Sequence, residues 1–473
     1  MGAGSVAAVD LGATSGRVVL GTIDDQVIHT EVVHRFANVP TQAPDGLHWN
    51  AAELFQSTLD GLTKLVNTNG PVASIGVDSW AVDYGLLQDG ELLGDPFHYR
   101  DERNAAGVAE VHRRVDGAEL YERNGLQFLP FNSLYQLTVD RMRGALDPAD
   151  GLLLIPDLVN FWLTGQQRSE ATNASTTGLL SADQMTWDVE LLKRLELPLD
   201  LLPTLVEPGE VIGVTLPNIT ITLGASEPIE VVAVGSHDTA SAVAAIPMDA
   251  SHAAYISCGT WGLCGVEVER PIRTAESRAA NFTNEGGVDG RVRFLHNVVG
   301  LWLLSESIRA WESNGDSIDL EALLGEAERL STPVAVFDAN DPEFLAPGDM
   351  PGRIADHCRE RGLPVPTSKA EFARSIIESL ATAFAETVRT AADLSGVDVR
   401  TVHIVGGGAL NTLLCQLTAD RVGIDVIAGP VEATAIGNVL IQARAAGLVH
   451  GDLEQLRTAV ASSVALKRYS PRR

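Results

Sequence analysis

The sequence has few cysteines and no long apolar run. Its four cysteines, Cys258, Cys264, Cys358 and Cys415, show no C-x-x-C spacing. Neither a zinc knuckle nor a disulfide framework is therefore predicted, and we expect thiols that line the core or a site. The longest apolar stretches are strand-sized and fall short of the ~20 residues that a membrane helix needs. No cationic, apolar leader opens the chain. These absences favour a cytoplasmic protein with no membrane partner.

Positive charge is also scarce. The sequence has 34 Lys and Arg residues and 62 Asp and Glu residues, so the formal net charge is -28. A nucleic acid or an anionic membrane surface is a poor partner for such a chain, since binding to either draws on many Lys and Arg contacts. An anionic nucleotide would need local cations, oriented backbone amides and a bound Mg²⁺ rather than the overall field. Arg17, Arg100 and Arg103 are the candidate cations.

Two common glycine-rich nucleotide loops are missing from the sequence. None of its lysines follows a glycine as the Walker A pattern G-x-x-x-x-G-K-[ST] demands. The glycine triplet 406–408 lacks the dinucleotide spacing of a Rossmann fold. A metal site built of histidine and cysteine is excluded as well, because no His-x-x-x-His pair with cysteine partners occurs.

Phosphate-handling chemistry is indicated by the segment that begins at Asp10. A buried-type apolar strand, predicted over 5–11, leads into a turn of small residues. Gly12 and Gly16 permit a close hairpin, Thr14 and Ser15 offer hydroxyls and amides to terminal phosphates, and Asp10 can hold a hydrated metal ion. The alternative is an ordinary hairpin turn with a buried aspartate.

A candidate catalytic base lies in the segment Ser236-His-Asp-Thr-Ala240, which follows a predicted strand over 229–234. Asp238 would accept the proton of a substrate hydroxyl late in phosphoryl transfer, a role that needs position more than basicity. The alternative is a helix cap, with Asp238 preceding a small-residue helix over 239–245.

Two further turns and one polar cluster carry weaker signals. Gly259 and Thr260, after a predicted strand over 253–258, could face a nucleotide, although this motif alone favours a glycine turn in a hairpin. The triplet 406–408, after a predicted strand over 401–405, would let a flat ring lie on bare backbone, or would serve helix packing. Carboxylates, guanidinium groups and an indole within 78–103 suit a polyhydroxyl ligand, or form a surface salt-bridge cluster.

The chain is predicted to contain the same arrangement of elements twice. Strands followed by a helix over 51–66 fill the first half, and strands with helices over 300–311 and 410–422 fill the second. The best boundary lies near residues 245–250. We therefore expect an α/β protein of two domains, with ligands collected where strands end at the domain interface.

The motifs together resemble the FGGY carbohydrate kinases of the actin-like ATPase superfamily, over essentially the whole chain. The resemblance rests on five separated segments in order: Val9-Asp-Leu-Gly-Ala13, Gln127-Phe-Leu-Pro-Phe-Asn-Ser-Leu-Tyr-Gln-Leu137, Ser236-His-Asp-Thr-Ala-Ser-Ala242, Thr283-Asn-Glu-Gly-Gly287 and Ala428-Gly-Pro-Val-Glu-Ala433. It implies two RNase-H-like domains around a central cleft. Residues 1–246 would bind mainly sugar and residues 247–473 mainly nucleotide.

The activity that the resemblance implies is ATP- and Mg²⁺-dependent phosphorylation of L-rhamnulose at O1, giving L-rhamnulose 1-phosphate and ADP, by a monomer or homodimer. The rivals are another deoxyketose or pentulose kinase, such as fuculokinase, a non-kinase actin-like ATPase, and a sugar-sensing regulator. No added DNA-binding segment supports the regulator.

The resemblance also assigns roles to single residues. Asp238 matches the base, and Asp10 matches a ligand that holds the metal through water. The implied sugar contacts are Ala81, Asp83, His237, Thr239 and Asn297, and the implied nucleotide contacts are Ala13, Thr14, Ser15, Gly16, Arg17, Gly259, Thr260 and Gly407. Two departures from the family pattern, Ser305 in place of Gln and Ala81 in place of Gly, bear on affinity and not on the type of reaction.

Overall fold

Three strands within residues 4–37 form an antiparallel meander. In the structure, a computed structural model that describes residues 3–472, the strands are Gly4–Leu11, Ser15–Asp24 and Val27–Ala37. Asp10 pairs with Arg17 across the first two strands. Directly opposed residues of an antiparallel pair project to the same face, so these two side chains are neighbours.

Contacts along the chain divide it into two units, each with its own mixed sheet. The first unit comprises the residues up to Pro247 with Val268–Arg293 and Ala433–Ser463, and the second comprises Met248–Glu267, Phe294–Glu432 and the residues from Val464 onward. The predicted α/β fold is confirmed. The predicted assignment of sugar to residues 1–246 and nucleotide to residues 247–473 stays a prediction.

The sheet of the first unit places three strand ends at one edge. Its order is Val211–Val214, Glu230–Val232, Ser74–Ser79, Gly4–Leu11, Ser15–Asp24 and Val27–Ala37. The strand Ser74–Ser79 runs parallel to both Gly4–Leu11 and Glu230–Val232. Parallel strands end at the same edge of a sheet, and ligands bind beyond their carboxyl ends.

The helix that follows the meander is stabilised by a capped N-terminus and by one buried apolar face. The side chain of Asn50 accepts a hydrogen bond from the backbone N–H of Glu53, and the helix Ala51–Asn69 buries Leu54, Leu62 and others on one face. It runs three residues past the predicted end at 66 and stops before Gly70.

The first unit also contains a hydrophobic cluster beside a small three-stranded sheet. Tyr84, Val111, Leu134 and Leu191 are among its buried members, and a small sheet of Tyr84–Gln88, Glu91–Leu92 and Gly151–Leu154 covers it. The other helices of the unit are Asn104–Arg114, Gly117–Asn124, Ser133–Met142, Ile155–Thr164, Ala171–Ala174, Val189–Leu195, Pro217–Leu223, Asp238–Ala244, Ala275–Ala279, Ala433–Ala445 and Leu453–Ser463. Its remaining strands are Thr41–Ala43, Gly46–His48, Arg168–Glu170, Leu180–Ser181, Thr186–Trp187, Thr204–Val206 and Thr283–Gly286.

The sheet of the second unit repeats the arrangement of the first. Its order is Val292–Val298, Gly262–Val268, Ala253–Cys258, Thr401–Val405, Asp425–Ala428 and Lys467–Tyr469. The strand Ala253–Cys258 forms a hairpin with Gly262–Val268 and pairs in parallel with Thr401–Val405. In both sheets, therefore, an opening hairpin lies beside a parallel strand, as the predicted duplication requires.

The helices of the second unit are Trp302–Ser313, Leu320–Arg329, Met350–Glu360, Lys369–Ser395 and Thr412–Val422. The last helix begins two residues later than predicted, because the side chain of Asn411 caps it by accepting a hydrogen bond from the backbone N–H of Leu414 at 3.0 Å. Within residues 3–472, no helix combines the length and apolar character that crossing a bilayer requires. The cytoplasmic location stays a prediction.

Candidate active site

Three aspartates meet at the carboxyl edge of the first unit's sheet. Asp10 and Asp78 are register partners on adjacent parallel strands. Asp238 joins them because Ser79 forms a bridge with His237, and the backbone N–H of Ser79 donates to the carbonyl of Ser236 at 2.9 Å. Residues 10 and 238, which are 228 positions apart in the chain, thus lie at one edge of one sheet.

The first of these aspartates is tied to the turn that follows it. Nε of Arg17 donates to Oδ2 of Asp10 at 2.8 Å, and a terminal nitrogen of the same guanidinium donates at 2.6 Å. The turn is closed from outside by Asn38, whose Nδ2 donates to the carbonyl of Gly12 at 3.0 Å. Thr14 and Ser15 remain exposed. Their hydroxyls and amides are therefore available to a ligand.

The sequence pattern does not identify Asp78 as a site residue and places it only within the polar cluster 78–103. It is fully buried, its Oδ2 accepts from Nδ2 of Asn438 at 2.6 Å, and its Oδ1 has no hydrogen-bond partner within residues 3–472. Burial raises the pKa of Asp78 well above its ordinary value, and the neighbouring charges of Asp10 and Asp238 raise it further. The parallel pairing of strands 4–11 and 74–79 is the signal that could have identified it.

Asp238 does not cap the helix at which it lies. The helix Asp238–Ala244 begins at this residue, His237 precedes it, and no side chain caps its first turn. The carboxylate accepts a hydrogen bond from Oγ1 of Thr239 at 3.0 Å, and its side chain stays 34% exposed. Burial raises the pKa of Asp238, His237 lowers it and Asp10 raises it. The capping alternative is therefore wrong, and the carboxylate is available for chemistry.

His237 is oriented by two residues that the sequence analysis did not identify. A terminal nitrogen of Arg293, which is fully buried, lies 3.0 Å from Nδ1 of His237. Arg293 also pairs with Glu285 at 3.1 Å. Because a guanidinium can only donate, we assign Nδ1 as the acceptor, so that the proton is on Nε2, which lies 3.4 Å from Oδ1 of Asp238. Burial opposes ionisation of Glu285, but Arg293 and His237 bring its pKa below the ordinary value.

Asp83 has quite different surroundings. Its Oδ2 accepts from the indole nitrogens of Trp49 at 2.6 Å and Trp80 at 3.0 Å and from the backbone N–H of Tyr99 at 3.2 Å. Its Oδ1 accepts from Nε2 of Gln136 at 3.0 Å. Burial raises the pKa of Asp83 to about 6, although these four hydrogen bonds oppose the shift. The carboxylate is thus already fully used by the protein.

The backbone just before Asp83 is strained. Val82 has a φ of 69°, which a β-branched residue rarely adopts, and the N–H of Asp83 closes a three-residue turn by donating to the carbonyl of Ala81 at 2.9 Å. The hydroxyl of Ser133 donates to the carbonyl of Val82 at 2.5 Å and helps to hold the turn. Such strain costs about 1–3 kcal/mol and is common at ligand sites.

The predicted nucleotide turns of the second unit lie side by side. Ser257 is the register partner of Val405, so the turns after both strands are adjacent. The carbonyls of Gly259 and Thr260 accept hydrogen bonds from the backbone N–H groups of Leu301 and Trp302 at 3.0 and 3.1 Å. Asn297 lies on the strand Val292–Val298, half-buried.

One member of the glycine triplet has the packing role considered for it, and the contact with a flat ring stays a prediction. A Cβ at Gly408 would lie 2.5 Å from Sγ of Cys258, so this glycine is required by packing. A Cβ at Gly407 would meet no atom within 4 Å, which leaves its surface open to a flat ligand. Gly406 has a φ of 75°.

Comparison with known proteins identifies the family. Residues 5–245 match the N-terminal domain and residues 254–446 the C-terminal domain of the FGGY family of carbohydrate kinases. The chain is 42% identical over 473 residues to a rhamnulokinase of Pectobacterium carotovorum, covering 99% of this chain and 93% of the relative. It is 40% identical over 467 residues to a rhamnulokinase of Bacteroides thetaiotaomicron, covering 98% and 95%.

Solved structures share the fold at low sequence identity. A ligand-bound xylulose kinase from Lactobacillus acidophilus has a TM-score of 0.79 and 18% identity, covering 99% of this chain and 94% of its own. Plasmodium falciparum glycerol kinase with ADP has a TM-score of 0.77 and 14% identity, with the same coverage. With both halves of the chain matched, this protein belongs to the FGGY family of carbohydrate kinases and is an ATP-dependent sugar kinase.

Proposed function

We propose that this sugar kinase transfers the γ-phosphoryl group of ATP to O1 of L-rhamnulose, giving L-rhamnulose 1-phosphate and ADP. The substrate is suggested by the name of relatives that are 40–42% identical over nearly the whole chain. The observation that carries the chemistry is the uncapped carboxylate of Asp238, held beside Asp10 and Asp78 at one strand edge.

Asp238 is the base in this proposal. As the bond between O1 of the ketose and phosphorus forms, the bond from phosphorus to the β–γ bridging oxygen breaks, and the O1 proton passes to the Asp238 carboxylate. The transition state of phosphoryl transfer is loose, so the proton leaves late and the base needs position above all. Nε2 of His237, to which the proton is assigned, lies 3.4 Å from Oδ1 of Asp238.

The sugar is held by groups around the base. His237 and Thr239 flank Asp238 directly, and Ala81 lies in the strained turn before Asp83. Asp83 acts by positioning the indoles of Trp49 and Trp80, because its oxygens are already used. Asn297 supplies a further contact in the proposal.

The phosphates of ATP are assigned to the turn from Ala13 to Arg17, whose hydroxyl-bearing residues are exposed. Gly259 and Thr260 of the second unit are assigned to the nucleotide as well. We assign Gly407 to the flat adenine ring, because a Cβ at this position would meet no atom of residues 3–472 within 4 Å.

Mg²⁺ fits the carboxylate donors of the first unit. Hard cations take oxygen ligands, and Oδ1 of Asp78 is a buried carboxylate oxygen without a hydrogen bond in the described chain. Asp10 would hold the ion through water, with Asp78 beside it. When bound, the ion neutralises charge on the phosphates of ATP.

The proposal is tested by a coupled assay of ADP release with L-rhamnulose, L-fuculose, D-xylulose, D-ribulose and glycerol. We expect L-rhamnulose to give the highest kcat/KM. Faster turnover of L-fuculose would assign the chain to another deoxyketose kinase, and ADP release without any sugar would favour the ATPase alternative. Replacing Asp10 by Ala should abolish use of Mg²⁺-ATP, and retained activity at ordinary Mg²⁺ would remove Asp10 from its role.

A further inference from the structure

A second cavity lies in the first unit and is lined by none of the residues assigned above to sugar, nucleotide or metal. Its volume is ≈ 370 Å³. It is enclosed by the helices Gly117–Asn124 and Ser133–Met142, the loop between them, and the segment 278–281. The cavity is large enough for a monosaccharide carrying a phosphate group.

One wall of the cavity is aromatic and partly open to solvent. Phe128 is 48% exposed, which is unusual for a phenylalanine in an ordered loop. Its ring packs against the rings of His112 and Tyr135, with centroids 5.8 and 5.9 Å away. These two neighbours hold the phenyl ring in place, and its uncovered surface suits the C–H face of a sugar ring.

The lining also carries donors that the part of the protein within residues 3–472 does not use. Arg278 is exposed, and its guanidinium has no hydrogen bond or ion pair to any residue in the 3–472 range. His112 contacts the hydroxyl of Tyr135 through Nε2 at 3.2 Å, which leaves Nδ1 for a ligand. A guanidinium and an imidazole in one lining offer hydrogen-bond donors to an anionic group.

The amide side chains of the lining are already engaged and give the cavity a fixed shape. Oδ1 of Asn281 accepts from the backbone N–H of Phe128 at 2.8 Å, and Nδ2 of Asn124 donates to the carbonyl of Gly178 at 3.2 Å. Asn281 itself has a φ of 55°, a conformation that few residues adopt. The aromatic wall and the segment of Arg278 are thereby joined directly.

We propose that this cavity is a second binding site, for a small phosphorylated sugar. The sugar ring lies against Phe128, and the phosphate group accepts hydrogen bonds from Arg278 and Nδ1 of His112. The segment that carries Arg278 continues into the strand Thr283–Gly286, which holds Glu285 next to His237. The site therefore adjoins the part of the chain that orients the base.

The test is isothermal titration of the full-length protein with D-glucose 6-phosphate, D-fructose 1-phosphate and D-ribose 5-phosphate, beside inorganic phosphate and L-rhamnose. We expect at least one sugar phosphate to bind with a stoichiometry of one, and more tightly than phosphate or the uncharged sugar alone. Arg278→Gln and Phe128→Ala should each weaken that binding about tenfold or more, as the loss of a charge-assisted hydrogen bond or a ring contact requires.

Arg270→Gln is the matched control, because Arg270 is an exposed arginine of the same segment that does not line the cavity. It should leave the affinity unchanged. Absence of saturable binding by every sugar phosphate at millimolar concentration would overturn the proposal. So would binding that both cavity variants leave unchanged, since the ligand would then lie elsewhere. None of these results depends on which ketose the enzyme phosphorylates.

Discussion

Asp83 and Asp238 are both aspartates of the first unit that the sequence predicts to belong to the site, but Asp83 is buried and Asp238 is partly exposed. Their surroundings are also opposite. Asp83 accepts four hydrogen bonds from two indoles, an amide side chain and a backbone N–H. Asp238 accepts one from its neighbour Thr239 and keeps a third of its side chain exposed. A carboxylate that accepts four hydrogen bonds from the protein serves to hold the protein together, whereas one that accepts a single bond from its neighbour is available to a substrate hydroxyl.

The contrast teaches that pattern alone does not separate the two roles. Both residues follow a strand at the same edge of the same sheet, and both have a raised pKa because of burial. The hydrogen-bond partners of the two carboxylates distinguish a structural role from a catalytic one. Three substitutions and one pH dependence test this distinction.

Replacing Asp238 by Asn should have the largest effect. We expect kcat to fall by ~10²-fold or more, because a positioned base is removed, while sugar affinity changes much less. Steady-state kinetics checks this. Asp200→Asn, at an exposed position, is the control and should match the wild type. Near-normal turnover in the Asp238 variant would show that Asp238 is not the base.

Replacing Asp83 by Asn should instead act on the fold. The change weakens charge-assisted hydrogen bonds to buried donors, and we expect the free energy of unfolding to fall by roughly 1.5–3 kcal/mol. Urea denaturation measures this. Residual kcat should stay within a few-fold of wild type under conditions where the variant is folded. A loss of kcat like that of the Asp238 variant, with unchanged stability, would show that Asp83 acts in the chemistry.

The ionisation of Asp83 should make the free energy of unfolding depend on pH. Its pKa in the folded protein is about 6, above the value of an unfolded chain, so the folded state binds the extra proton. The stabilisation is complete below the unfolded pKa and is lost as pH rises through about 6. Between pH 5 and 7.5 the free energy of unfolding should fall by about 1–2 kcal/mol more in the wild type than in Asp83→Asn. Parallel curves for the two proteins would contradict the assignment.

Asp78 is the intermediate case, with one oxygen bonded to Asn438 and one unbonded in the described chain. In Asp78→Asn the buried charge is removed while the acceptor for Asn438 remains, so we expect stability that is unchanged or higher. Affinity for Mn²⁺, measured by electron paramagnetic resonance as a probe of the Mg²⁺ site, should fall several-fold. Lower stability with unchanged Mn²⁺ affinity would make Asp78 a purely structural residue.

Much of the fold and of the site could be predicted, because the signals lie in short stretches of the sequence. The strands 253–258 and 401–405 have the predicted limits, since their apolar runs end directly in glycine turns. The helix at Asp238 was predicted one residue late. Asp10 and the turn up to Arg17 were found because strand, carboxylate and glycines follow one another in the sequence.

The remainder depends on partners that are distant in the chain. Glu285 and Arg293 reach His237 from about 50 residues away, and Asn438 reaches Asp78 across 360 residues. No periodicity or spacing encodes such contacts. The strained turn at Val82 was also unpredictable, because a valine gives no sign of a positive φ.

The most direct test of the central claim is ³¹P NMR of a mixture of enzyme, Mg²⁺-ATP and L-rhamnulose, followed over time for wild type and Asp238→Asn. The wild type should form one sugar phosphate for each ADP, with no inorganic phosphate, and the variant should form neither at a comparable rate. Inorganic phosphate in place of sugar phosphate, or sugar phosphate formed at the wild-type rate by Asp238→Asn, would contradict the account.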